Sequence, residues 1–259
     1  MTSFKINGFL SEEMFDYEKD IQNRHKEYLE LAAELNKLAH RIIYSIEVHA
    51  SLNDLLLATL FTRQTASFQA FIVLIRKGLL TQSEIILRNI LETSFIIGAI
   101  GKDGDFGKKF VFSENLSRKK ALVRLSENYK KNGKEVDQET IDLIAELQKF
   151  IKDKNIKEFS IEQIAKIANL TDLYDTLYPL TSRAVHTSPR GLDKALVVND
   201  QGELMSVDYG PVVKGFDMQL ASAIDMTLYT MHEAANNFDY EVAEIEELRA
   251  KLKRLIDAE

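Results

Sequence analysis

At 259 residues, with 45% hydrophobic and 28% charged side chains, the chain is long enough for one large domain with a real core. It has no cysteine, which excludes disulfides, thiolate metal sites and a cysteine nucleophile. The net charge of −7 argues against a protein that coats nucleic acid non-specifically.

Three prolines and eleven glycines, against many Leu, Ile, Ala, Glu and Lys, point to an all-helical chain. Ser11-Glu12-Glu13 reads as a helix start with acidic residues in its first turn. The helix continues through Tyr28, Leu31, Leu35, Leu38, Ile42 and Ile46 at a period near 3.6. A second helix spans about 53–77 and stops at Gly78. The third, about 81–98, should end in the region of Gly98, Gly101 and Gly104. A basic helix follows over 106–129, then shorter ones at 137–151 and 161–169, the last with Ser160-x-x-Gln163 as a capping box. Another starts at Thr171, carries Tyr174, Tyr178, Ser182 and His186, and ends before Pro189-Arg190-Gly191.

Between Ala195 and Tyr209 the period shifts to two, and Asn199-Asp200-Gln201-Gly202 between apolar runs reads as a small β-hairpin. A long helix occupies about 212–238. Val242, Ile245, Leu248, Leu252 and Leu255 then mark a short coiled-coil-like tail. The expected fold is an all-α, multi-helix up-and-down bundle with one hairpin. Residues 1–238 form the domain, and 239–259 form an amphipathic helix projecting from it.

The third helix carries the most information. Ile85-Ile86-Leu87-Arg88-Asn89-Ile90-Leu91-Glu92-Thr93-Ser94-Phe95-Ile96-Ile97 is apolar around its circumference, so it should be central. Arg88 and Glu92, four apart, share one face. A charge so placed costs several kcal/mol (roughly) unless it is paired and hydrogen-bonded. Tyr178, Ser182 and His186 are also spaced by four and project from one helix face. If that face packs on the buried helix, Tyr178 and His186 reach Arg88 and Glu92. Two readings stay open. One is a polar staple between core helices. The other is a site where His186 takes or gives a proton and Arg88 stabilises a phosphate, chemistry suited to metal-independent RNA cleavage.

From Lys102 to Lys134 there are ten Lys and Arg against four Asp and Glu, a local +6 that leaves −13 elsewhere. Lys108, Lys109, Arg118, Lys119, Lys120 and Arg124 lie in this stretch. They are either a solvated face or a phosphate-binding surface.

His232-Glu233-Ala234-Ala235-Asn236 has Asn where a zinc-protease helix needs its second His, and His40 and His49 are too far apart to share a helical turn. No metal and no cofactor is implied. Gly101 to Lys109 has glycines but no preceding strand, and reads as a helix-connecting loop. The N-terminus lacks signal-peptide order and no uncharged apolar run reaches ~18 residues, so no membrane span and a cytoplasmic location are expected.

The pair of motifs, Leu87-Arg88-Asn89-Ile90-Leu91-Glu92 and Tyr178-x3-Ser182-x3-His186, resembles a bacterial family of unknown function that is similar to the HEPN superfamily of helical bundles. The resemblance covers roughly residues 50 to 235. It implies a dimeric helical bundle acting on RNA, often as a metal-independent ribonuclease in toxin–antitoxin or phage defence, with an antitoxin or defence-system partner. Some HEPN proteins are inactive binding modules. The usual HEPN Arg and His lie four to six residues apart on one helix. Here Arg183 and His186 have two residues between them, and Arg41 and His49 have seven. The candidate catalytic set therefore stays Arg88, Glu92, Tyr178, Ser182 and His186. The alternative is a non-catalytic interaction module with a structural Arg-Glu-His network.

A homodimer is also expected from the tail. About two heptads are too short to stand alone in water, and their acidic-then-basic blocks would complement each other in antiparallel pairing.

Overall fold

The computed structural model describes residues 3–47, 51–185 and 195–258. His49, His186 and Pro189-Arg190-Gly191 lie outside the described residues. Among those described, the chain forms eleven α-helices and one antiparallel hairpin. The helices are α1 (Ser3–Asn7), α2 (Met14–Arg24), α3 (Lys26–Ser45), α4 (Leu52–Arg76), α5 (Leu80–Lys102), α6 (Phe106–Lys131), α7 (Gln138–Asp153), α8 (Ile161–Ile167), α9 (Thr171–Val185), α10 (Asp217–Asn237) and α11 (Ala243–Asp257). Strands β1 (Leu196–Val198) and β2 (Leu204–Val207) lie between α9 and α10 and expose their apolar side chains. No described helix is long and apolar enough to cross a membrane.

The apolar helix is central, as its composition demands. α5 packs against α4, α8, α9 and α10, and Leu87, Ile90, Leu91, Phe95 and Ile97 are buried on different sides of it. α4 offers Phe61, Phe68 and Phe71 to the same core. The α4–α5 turn is a Schellman motif: the Gly78 amide donates to Ile75 O (2.8 Å) and the Leu79 amide to Leu74 O (3.0 Å). Gly78 has φ +69°, which favours glycine, and a Cβ there would meet the backbone of Val212.

Four expectations need correction. The first helix is two, α2 and α3, broken at His25, whose φ/ψ of −110°/29° leave the helix while its ring is tied to Asp217. Gly98 and Gly101 do not end α5. They sit inside it, where a Cβ would collide with the Tyr229 hydroxyl and the Glu233 carboxylate of α10, so the glycines bring α10 close. Gly107 likewise lies inside α6 against Asn53 and Leu56, leaving only residues 103–105 as the connecting loop.

The fourth concerns the tail. α11 does not project: Ile245, Leu248 and Leu252 are buried and the helix packs on α3 and α10. Its charge blocks do find an antiparallel partner, but within the chain. Glu244 pairs with Arg41 and Lys251 with Glu34 of α3, seven residues apart on each helix. Pairing two tails would first have to strip α11 from its own bundle.

Candidate functional site

α9 crosses α5 at the two charges. Arg88 Nε donates to Glu92 Oε1 at 3.0 Å, Arg88 Nη2 donates to the Tyr178 hydroxyl at 2.5 Å, and that hydroxyl donates to Glu92 Oε1 at 3.1 Å. The three groups close a ring of hydrogen bonds. The guanidinium also lies 4.3 Å from the centre of the Tyr178 ring, a cation–π contact. Side-chain exposures of 16% for Arg88 and 31% for Glu92 make the pair half-buried. Its desolvation is offset by pairing, as a charge in such a place requires.

Tyr178 is held from two sides, stacked on Tyr174 at 5.0 Å and tilted against Phe95 at 6.3 Å. Burial, reinforced by the negative Glu92, pushes its phenol above the usual tyrosine range, while Arg88 pulls the other way. The phenol is therefore neutral and free to donate to the carboxylate. Pro179, inside α9, removes one helical amide donor. Among the described residues Ser182 joins no network with Arg88: its hydroxyl donates to the Tyr178 carbonyl at 2.7 Å. Arg88 Nη1 is buried with no partner among the described residues. The motifs thus bring together Arg88, Glu92 and Tyr178, leave Ser182 beside them, and place His186 outside the described residues.

Polar side chains also stitch α4 to α5. Gln64 Nε2 donates to Ser94 Oγ (3.1 Å), and Ser67 Oγ donates to Asn89 Oδ1 (3.0 Å).

The basic segment forms α6, whose 26 residues make a rod about 39 Å long at 1.5 Å per residue. It meets α4 and α5 but packs mainly along α7, and only Phe106 and Gly107 of it are buried. Helical spacing puts Lys109, Lys120, Arg124 and Lys131 within an arc of about 60°. All four are exposed. Lys108, Lys119 and Lys130, each eleven residues apart, form a second row beside it, nearer α7. Arg118 falls on the far side. Lys109 pairs with Asp103 (3.1 Å), Lys120 pairs with Glu158 (2.6 Å), and Lys108 lies 5.8 Å from the Phe112 ring centre. Lys119, Arg124, Lys130 and Lys131 have no acidic partner among the described residues, so their charge is available to an external anion.

A second polar pair joins distant parts of the chain. His25 Nδ1 lies 2.7 Å from Asp217 Oδ1, the ring is only 4% exposed, and its Nε2 has no partner among the described residues. The two residues are 192 positions apart, so no spacing could announce the pair. His232 is spent elsewhere, beside Asn236 (3.1 Å) and Glu246 (3.9 Å).

No curated protein and no solved structure matches the chain. One family profile does, over residues 54–204, which takes in α4 to α9, the Arg88–Glu92–Tyr178 ring and the whole basic helix. Because that match spans more than half of its length, the chain belongs to the family of unknown function DUF5677.

Proposed function

We propose that the protein acts on RNA in the manner of a HEPN-like helical protein, holding the phosphate backbone along α6. The observation that carries this reading is the stripe of exposed cations on a long helix, in a chain that is otherwise strongly acidic. An acidic body opposes non-specific coating, while the local stripe attracts one strand of phosphates. The HEPN resemblance would place such a protein in the cytoplasm, in a toxin-type or defence role, as a homodimer with an antitoxin or defence-system partner.

Binding to a fluorescent RNA strand, titrated against salt, tests the reading. If about four cations each neutralise a phosphate, the log–log salt slope is about −3, and affinity falls about 60-fold between 50 and 200 mM salt. Arg124→Glu with Lys131→Glu should weaken binding and flatten that slope. An RNA affinity that ignores both salt and these substitutions removes the proposal.

Within this reading, the ring at Arg88 serves to fasten α9 to the core. A second reading is favoured by Arg88 Nη1, the one guanidinium nitrogen left without a partner. In it the site is a metal-independent endoribonuclease: His186 takes the 2′-hydroxyl proton, Arg88 neutralises the phosphate, and Glu92, Tyr178 and Ser182 position them. His186→Ala separates the two. Loss of RNA cleavage without loss of melting temperature favours the enzyme. An uncleaved RNA with the wild-type protein favours the binding module.

A further inference from the structure

At the root of the α6–α7 hairpin lies a cavity of about 270 Å³ that no motif marked. Lys109 and Phe112 of the first turns of α6 form one side. Lys154, Asn155, Ile156, Lys157 and Phe159, from the loop joining α7 to α8, form the other. Its composition is two half-buried aromatic rings and an isoleucine, with lysines among them. Both rings are fixed in place: Phe112 lies edge-to-face with Phe150 at 5.3 Å, and Phe159 with Phe106 at 5.4 Å. Asn155 turns the loop with φ +48°, carrying Lys154 and Lys157 past the end of α7.

The local charge is positive. Two nearby carboxylates are already engaged, Asp103 by Lys109 and Glu158 by Lys120, and Asp153 at the end of α7 is the acidic neighbour of Lys154. Lys154 and Lys157 have no ion pair among the described residues. The cavity therefore offers aromatic surface beside uncompensated cations, at the end of the helix that bears the cationic stripe. Rigid aromatic platforms beside a basic track are how proteins hold unpaired nucleic-acid bases. A base in a duplex is stacked on both faces and paired at its edge, so it has no free face to offer such a platform. The volume, just below the range of about 300–1,000 Å³ for small-molecule clefts, suits one base and not several.

We propose that the RNA bound along α6 is single-stranded and that this cavity receives one unpaired base, against Phe112 and Phe159, with Lys154 and Lys157 on its flanking phosphates. This rests on the RNA-binding reading and adds the substrate class and the subsite. Stacking one base contributes about 5- to 160-fold in affinity.

The test uses the full chain and a labelled single strand carrying 2-aminopurine, compared with the same strand in a duplex. The single strand should bind at least about ten-fold tighter. Phe112→Leu, which keeps apolar packing on Phe150 but removes the π-face, should lower single-strand affinity about ten-fold and abolish the 2-aminopurine fluorescence change. Lys154→Gln with Lys157→Gln should weaken binding and reduce the salt slope by about 1.4. An unchanged melting curve for each variant shows that the fold is intact. If RNA binds, depends on Arg124 and Lys131, and is indifferent to Phe112, Lys154 and Lys157, the subsite is wrong while the RNA reading stands. A duplex bound as tightly as the single strand also overturns the subsite. If no RNA binds, both fall together.

Discussion

Replacing Tyr178 with Phe removes one oxygen and leaves the rest of the ring system in place. That oxygen accepts from Arg88 Nη2 at 2.5 Å and donates to Glu92 Oε1 at 3.1 Å, so both charges lose a partner at once. Hydrogen bonds to charged groups contribute about 1.5–3 kcal/mol each. Two such bonds are lost, but the Arg88–Glu92 pair at 3.0 Å survives, and Phe keeps the contact with the guanidinium and with Tyr174. Exposures of 16% and 31% also let water replace part of what is lost. The net cost should be about 2 kcal/mol, a drop in Tm of about 4–8 °C for a chain of this size. Thermal unfolding followed by far-UV circular dichroism measures it. Arg88→Met, made alone and together with Tyr178→Phe, should show a coupling of at least about 0.5 kcal/mol, because the two residues share one network. A Tyr178→Phe protein that melts within about 1 °C of wild type, or a cycle with no coupling, would refute the staple.

Three further outcomes follow from the packing. Gly98→Ala should cost about 1–3 kcal/mol, mainly through collision with the Tyr229 hydroxyl; Tyr229→Phe, which deletes a buried hydroxyl that has no partner among the described residues, should be near neutral alone and recover part of the Tm lost in Gly98→Ala, the tight contacts with Ala168 and the ring carbon remaining. Burial raises the Asp225 carboxyl above its ordinary value, against the partial relief of Arg249. The protonated acid is thus the form the fold prefers: its contribution is complete below about pH 4 and lost as pH rises through the raised value. Asp225→Asn should therefore raise Tm at pH 7 and lose that advantage in acid. Deleting 241–259 exposes the seam that Leu248 and Leu252 cover, so it should lower the Tm of the protein; a truncated chain of unchanged stability would contradict the intramolecular docking of α11.

The parts of this fold legible in the sequence are those set by local rules. Periodicity placed most of the helices, Ser160 and Gln163 form their capping box, and the shift to alternation at Ala195 marks the hairpin. Elsewhere distant residues overrule the local signals. Gly98 and Gly101 look like breakers, yet inside a helix they make room for Tyr229 and Glu233 of α10, more than a hundred residues later. His25 looks like one more position in a continuous helix, yet Asp217 draws its ring aside. The tail's charge blocks were read as complementing a second tail, and the pairs the structure shows are with α3 of the same chain. α3 takes the role because Arg41 and Glu34 repeat at the same seven-residue interval as Glu244 and Lys251.

The same distinction separates the two halves of the candidate site. A four-residue interval is enough to pair Arg88 with Glu92, and burial is enough to require further partners for them. Spacing on α9 selects Tyr178 and Ser182 equally, since both lie on one face. What divides them is height along α9 where it crosses α5: Tyr178 reaches the charges, while Ser182, one turn on, turns back to its own helix. The cationic helix is the complementary case. Its residues are plain in the sequence, but their use depends on which carboxylates fold against them. Asp103 and Glu158 occupy Lys109 and Lys120, so Lys119, Arg124, Lys130 and Lys131 carry the charge left for a ligand. Neutralising some lysines and sparing others leaves α6 with fewer unpaired cations than its sequence suggests, with the aromatic cavity at one end. The ring at Arg88, by contrast, spends its charges within the fold, holding α9 to the central helix of the same family-defining region.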